Sequence, residues 1–168
     1  ASHGHTLFHQ PGKGFTTQIG SGAHIAAVTG IDTVCDFRSK DVALGGQGAP
    51  LVPVGDHFLF AGYEACLNLG GIANISLLSE GKRKAFDICP VNMALNELAL
   101  RTGVPFDKNG ALAASGNLLP DLLEQMNNLS FYQQTGAKSL GREWYSPHFA
   151  PLLENGSPAD LSRTVCEH

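Results

Sequence analysis

Charge is scarce in this 168-residue sequence: Asp, Glu, Lys and Arg make up only 15%, below the usual quarter. What charge exists leans acidic, with a net of -4 and a pI near 5.9. A nucleic-acid-binding surface, which would show a basic patch, is not expected. No apolar run approaches the roughly 18 residues of a membrane span. The opening Ala1-Ser2-His3-Gly4-His5 lacks the basic-then-apolar order of a secretory signal. Cysteine is sparse too. Cys35, Cys66, Cys89 and Cys166 lie far apart with no CxxC, which points to reduced thiols in a cytoplasmic protein rather than a disulfide framework.

Glycine, by contrast, is plentiful at 20 residues, and hydrophobic residues make up 43%. Low charge with many glycines implies buried backbone and tight turns, or an interface covered by further chain. The length allows one domain or two small lobes, and a chain of this size buries roughly two-thirds of its extended surface without metal or disulfide help.

Along the chain, His5 to Gln10 reads as extended, Pro11-Gly12 as a turn, and Phe15 to Ile19 as an alternating strand. Ala23 to Val28 predicts a short helix closed by Gly30. Ile31 to Phe37 has the content of a buried strand whose polar end, Asp36-Phe37-Arg38, delivers side chains to a cleft. Gly45 to Pro53 is the best candidate for a connection between lobes, so residues 1–44 are assigned to a first lobe and 45–168 to a second. Cys66 to Leu69 and Ile75 to Ser79 flank Gly70-Gly71, and Glu80-Gly81-Lys82 turns into Lys84 to Ile88: a hairpin with a return strand. A helix follows from Pro90 and Asn92 to about Arg101, then another from about Leu118 to Leu129 with one apolar face. After Gly136 the sequence reads as loop-rich.

Four motifs carry candidate chemistry. In Asn68-Leu69-Gly70-Gly71-Ile72-Ala73-Asn74, two glycines let backbone N–H groups approach an anion, and Asn74 adds a donor; the plainer reading is a bulge or hairpin bend. Asp87 ends a strand just before a helix, where it serves either as a general base facing a cleft or as a dipole-stabilising carboxylate. Asn92 fits an N-cap. Asp107 and Asn109 fit turns. Lys138 and Arg142 flank Gly141 in a segment that is either a solvated loop or an anion contact. His3, His5 and His9 fall on one face by alternation, but their spacing matches no helical or Cys/His metal motif. They read better as hydrogen-bonded strand histidines.

The ordered set SHGHTLFHQP, FTTQIG, DFRSKDVALGGQGAPLVP, NLGGIANISLL, FDICPVN, FDKNGALAASG and KSLGRE strongly resembles the anhydro-N-acetylmuramic acid kinase family over residues 2 to 145. The resemblance implies an α/β fold of ribonuclease-H-like (actin-like ATPase) lobes, mixed sheets with helices, incomplete in this chain. It also implies an ATP- and Mg2+-dependent enzyme that opens the 1,6-anhydro ring with water and phosphorylates O6, and a homodimer. Asp87 matches the family's catalytic aspartate. Gly70, Gly71 and Asn74 match its second phosphate-binding hairpin. Asp36, Arg38 and Asp41 match a strand end near sugar or magnesium, and Ser2 to Thr6, including His5 and Thr6, a segment on the sugar side. Asn92, Lys138 and Arg142 complete the implied substrate contacts.

Departures are visible. His5 stands where the family has Gln, Ser39 where it has a basic residue, and Asn96 where it has Asp. Cys89 and Val91 replace small residues. The family's first phosphate loop and its Gly-rich adenosine motif are not found, so the chain is expected to be a central piece, inactive alone. The alternative expectation is a non-catalytic sugar- or partner-binding remnant lacking the nucleotide clamp.

Overall fold

The computed structural model describes residues 1–168 as a mixed α/β chain with two small antiparallel sheets and eight α-helices. It divides into two compact units, Ala1–Leu59 and Phe60–His168.

In the first unit, β1 (His5–Gln10) and β2 (Phe15–Ile19) pair antiparallel around a 3-10 turn at Pro11–Lys13. Helix α1 (Gly22–Thr29) starts at Ser21, whose Oγ accepts the His24 N–H at 3.3 Å, and ends at left-handed Gly30. These are the elements that alternation and Gly30 predict, with Ser21 adding an N-cap. Two short helices follow, α2 (Ser39–Ala43) and α3 (Pro53–Leu59). The strand expected at Ile31 to Phe37 does not form. Only Cys35 pairs, in a parallel bridge to Ser2, and Ile31 and Val34 stay 67% and 64% exposed. β-branched content makes a strand only where a neighbour supplies cross-strand packing, and one paired residue is too little.

The second unit opens with β3 (Ala65–Leu69), β4 (Ile72–Ser79) and β5 (Lys82–Pro90), an antiparallel meander in the order β3-β4-β5. Glu80 and Gly81 link β4 to β5 with φ of 53° and 73°, the paired positive values of a two-residue turn that matches strand twist. Five helices follow: α4 (Asn92–Leu100), α5 (Ala111–Ala114), α6 (Pro120–Asn127), α7 (Arg142–His148) and α8 (Pro158–Glu167). Strong helix formers fill α4, and Ala94 and Leu98, four apart, form its buried stripe. They pack with Met126, Tyr145, Phe149, Leu153, Leu161 and Val165 in one core.

The region after Gly136 is more helical than its sequence reads. Pro147 sits inside α7, disguising the helix. In α8, Pro158 occupies the first turn behind Ser157, whose Oγ accepts the Asp160 N–H at 3.1 Å. Leu161 and Val165 then supply an apolar stripe one turn long.

Candidate active site

The meander lays a polar row across three strands. Asn68 lies opposite Asn74, and Asn74 opposite Asp87; residues directly opposite in an antiparallel pair share a face. Exposure falls along the row, from exposed Asn68 through partly buried Asn74 to buried Asp87. A register shift between β4 and β5 follows at once, because Ala73 pairs with Cys89 and Ile88 is left over. Such bulges re-aim neighbouring side chains and end regular pairing. Asn68 was not among the residues assigned from sequence. Its signal was the hairpin's symmetry: Asn68 and Asn74 are equidistant from Gly71.

Asp87 is only 5% exposed, yet its carboxylate is not left without donors. Oδ2 accepts the Leu140 N–H at 2.7 Å, and the Asp87 N–H donates to the Lys138 carbonyl at 3.0 Å. The segment Lys138–Leu140 therefore lies along the free edge of β5. A backbone N–H donated to a carboxylate makes a short, charge-assisted bond that offsets part of the cost of burying it. Lys138 itself turns away, with Nζ 3.3 Å from the Phe131 carbonyl, 3.4 Å from the Gln134 carbonyl and 4.6 Å from the centre of the Phe131 ring. Arg142 is the first residue of α7 and is exposed.

Gly70-Gly71 and the start of α4 meet through backbone. The Gly71 carbonyl accepts from Val91 and Met93, each at 3.0 Å, and the Gly70 carbonyl from Asn92 N–H at 3.3 Å. These bonds satisfy N–H groups that a helix start leaves orphaned. Asn92 is consequently not the N-cap that its sequence position implies. It is the first helical residue, and its Nδ2 donates to the Gly70 carbonyl at 2.8 Å. Since a trans peptide points its N–H opposite its C=O, the N–H groups of Gly71 and Ile72 face away from α4. Neither Gly70 nor Gly71 has positive φ, and a Cβ built on Gly71 meets nothing within 4 Å.

The charged residues of the first unit are arranged differently. Arg38 Nη1 donates to the Gly48 carbonyl at 2.6 Å, and Asp41 Oδ2 accepts the Gly48 N–H at 2.7 Å. The two side chains thus bracket the Gly45–Gly48 turn. Asp36, with φ of 57°, accepts the Ser39 N–H at 3.3 Å at the start of α2. His5 is exposed opposite Ile19, and Thr6 is partly buried opposite Gln18. A register shift after Thr6 puts the strand's alternation out of phase, so His9 is buried while His5 is not; the expectation of one histidine face fails for that reason. His9 Nδ1 lies 3.0 Å from Thr16 Oγ1. A polar cavity of about 220 Å³ lies beside Ser2, His3, Thr16, Gln18, Asp36 and Ser39.

Thus the structure gathers Asp87, Asn74, Gly70, Gly71 and Asn92 around one end of the meander, and Arg38 and Asp41 around Gly48. Lys138 contributes its backbone to the first group and its side chain elsewhere. Asp107, read as a turn residue, accepts the Leu112 and Ala113 N–H groups at 2.8 and 3.0 Å at the start of α5.

The comparisons with known proteins bear on the whole chain. The family description "Anhydro-N-acetylmuramic acid kinase" matches residues 1–168. Proteins of that name from Pseudomonas paraeruginosa and Aliivibrio fischeri are 46% and 43% identical, each over 99% of this chain and 48% of the relative. One from Variovorax paradoxus is 42% identical over 99% of this chain and 49% of its own length. The chain therefore spans about half the length of the curated relatives it matches. With its ordered motifs matched from end to end, the chain belongs to the anhydro-N-acetylmuramic acid kinase family.

Proposed function

We propose that the protein containing this chain is an ATP-dependent kinase that opens 1,6-anhydro-N-acetylmuramic acid with water and phosphorylates O6. The product is N-acetylmuramic acid 6-phosphate, and the setting is cytoplasmic peptidoglycan recycling. The observation that carries the reading is the buried Asp87 carboxylate, one strand from Asn74 and beside a Gly-Gly turn in which neither glycine has positive φ. In this reading Asp87 takes a proton from the water that attacks C1, the C1–O6 bond breaks, and O6 accepts the γ-phosphoryl group. Gly70, Gly71 and Asn74 approach the phosphates through N–H donors.

The substrate contacts proposed are His5, Thr6, Asp36, Arg38, Asp41, Asn92, Lys138 and Arg142. In the intact protein these lie on ribonuclease-H-like lobes, divided near residue 45, within a homodimer. Mg2+ belongs to the same proposal. No three His, Cys, Asp or Glu side chains converge in this chain, so its donors do not form a resident magnesium cage. They fit a magnesium ion carried in on the phosphates, which needs only one or two protein carboxylates and neutralises phosphate charge.

One observation favours the second reading, a binding module without catalysis: Arg38, Asp41 and Lys138 spend their polar groups on backbone of their own chain. The test is mass spectrometry of the anhydro-sugar incubated with full-length protein, MgATP and heavy-oxygen water. Phosphorylated product labelled at C1 supports the kinase. A folded, nucleotide-binding protein that forms no product supports the binding module.

A further inference from the structure

The contacts that hold Asp87 do not end at Leu140. Gly141 follows it and accepts the N–H groups of Trp144 and Tyr145 at 3.1 and 2.9 Å, so α7 begins directly beyond the clamp. One turn along, the buried Tyr145 donates its hydroxyl to Glu97 Oε2 at 2.8 Å. Glu97 stands on α4, the helix that grows out of β5 and Asp87. Its Oε1 meets Arg101 Nη2 at 2.9 Å, and Arg101 Nη1 reaches the Leu153 carbonyl just after α7. The Asp87 carboxylate is therefore fixed from two sides, by the strand that leads into α4 and by the segment that leads into α7. A single side-chain bridge, Tyr145 to Glu97, ties those two helices beside it. At the other end of the clamp, Lys138 is anchored on the carbonyls of Phe131 and Gln134.

From this arrangement we infer that Tyr145 and Glu97 are positioning residues for Asp87: their hydrogen bond sets how firmly the Lys138–Leu140 backbone holds the carboxylate in its reacting geometry. The inference rests on Asp87 being the base of the proposed reaction. Neither side chain touches the carboxylate itself. Their effect travels through one turn of helix, about 5.4 Å, to the Leu140 N–H. Burial, the hydrogen bond to Glu97 and the Glu97 charge all raise the Tyr145 phenol above its ordinary value, so it remains a donor throughout the working pH range.

The experiment compares Tyr145→Phe, Glu97→Leu, Glu97→Gln and Asp87→Asn in the full-length protein. Tyr145→Phe and Glu97→Leu are expected to lower kcat about tenfold, as small misplacements of a catalytic group do. KM for sugar and for ATP should stay within about twofold, since substrate binding is untouched. Glu97→Gln keeps an acceptor for the Tyr145 hydroxyl and is expected to recover most of kcat. Amide hydrogen exchange at Leu140 should quicken in Tyr145→Phe and slow again in Glu97→Gln.

Unchanged kcat in a folded Tyr145→Phe protein overturns the inference, as does Glu97→Gln matching Glu97→Leu. If Glu97→Leu fails to fold, Tyr145→Phe still decides, because the ring stacked on Phe149 is kept. Asp87→Asn separates the two levels. Loss of turnover there with normal Tyr145→Phe kinetics removes only the bridge. Near-normal turnover in Asp87→Asn removes the base and the bridge together.

Discussion

The two compact units divide the buried apolar side chains very unequally. Of the fourteen such residues, only Val42 lies in Ala1–Leu59, while Phe60–His168 holds the other thirteen. The first unit keeps its shape through backbone pairing and side-chain brackets such as those on Gly48. The second combines a continuous helical core with a sheet that bears a buried carboxylate. Since apolar burial supplies most of the favourable free energy of folding, the second unit has the larger share of that driving force.

The largest expected effect is therefore in that core. Phe149 is fully buried between α7 and its neighbours, and Phe149→Ala should cost about 3–5 kcal/mol. Val42→Ala should cost about 1.5–3 kcal/mol at most, the range for removing a buried aliphatic side chain. Chemical denaturation of both variants measures the contrast. Equal losses would mean that the two units share one cooperative core.

Alkaline pH should act on the same side of the divide. All three tyrosines lie in the second unit, and burial raises the phenols of Tyr132 and Tyr145, the latter helped by Glu97. Below the ordinary phenol value of about 10 both states are protonated and the contribution is complete. Above it the unfolded chain loses the proton first and binds fewer protons than the native state, so stability falls as pH rises. The thiols of Cys89 and Cys166, also raised by burial, act in the same direction. Thermal melts between about pH 8 and 11 should show Tm falling with pH, and falling less steeply in Tyr145→Phe. Parallel decline in both proteins would show that Tyr145 does not carry the effect.

Much of the second unit was legible in the sequence because its signals are local. Glu80-Gly81 gives the turn, Asn92 to about Arg101 the helix, and Gly70-Gly71 the bend between two strands. Other features depend on partners that local sequence does not name. The edge pairing of Lys138–Leu140 with Asp87 spans more than fifty residues. Ile31 to Phe37 has strand content without a ladder to join. The charges in DFRSKD look as ready for a ligand as FDICPVN does, yet Arg38 and Asp41 close on their own loop. A charged motif beside glycines is ambiguous until the structure shows whether the glycine backbone is its partner.

Asp41→Ala sharpens that distinction at moderate cost. It removes the acceptor of the Gly48 N–H, and Gly48 is buried. An unpaired buried donor costs about 1–3 kcal/mol, and amide exchange at Gly48 should accelerate accordingly. Unchanged protection at Gly48 would mean that Arg38 alone holds the turn.

The smallest effect on stability is the most informative about function, and it sets the two glycine motifs side by side. Gly48 has φ of 63°, and an added Cβ would lie 2.7 Å from Val42 Cγ2; alanine there is strained whatever the ligand. Gly71 has neither constraint, since its φ is ordinary and its Cβ would enter open space. Gly71→Ala should therefore be neutral, or stabilising by about 0.4–1 kcal/mol through a less flexible unfolded chain. A glycine that the fold does not need is explained by something approaching it from outside, and the phosphate reading supplies that something. In the full-length protein, Gly71→Ala should raise KM for ATP while leaving the melting temperature intact. If ATP use is unaffected, the turn is no phosphate site. If stability falls instead, the glycine is there for the fold, and the contrast between the two motifs disappears.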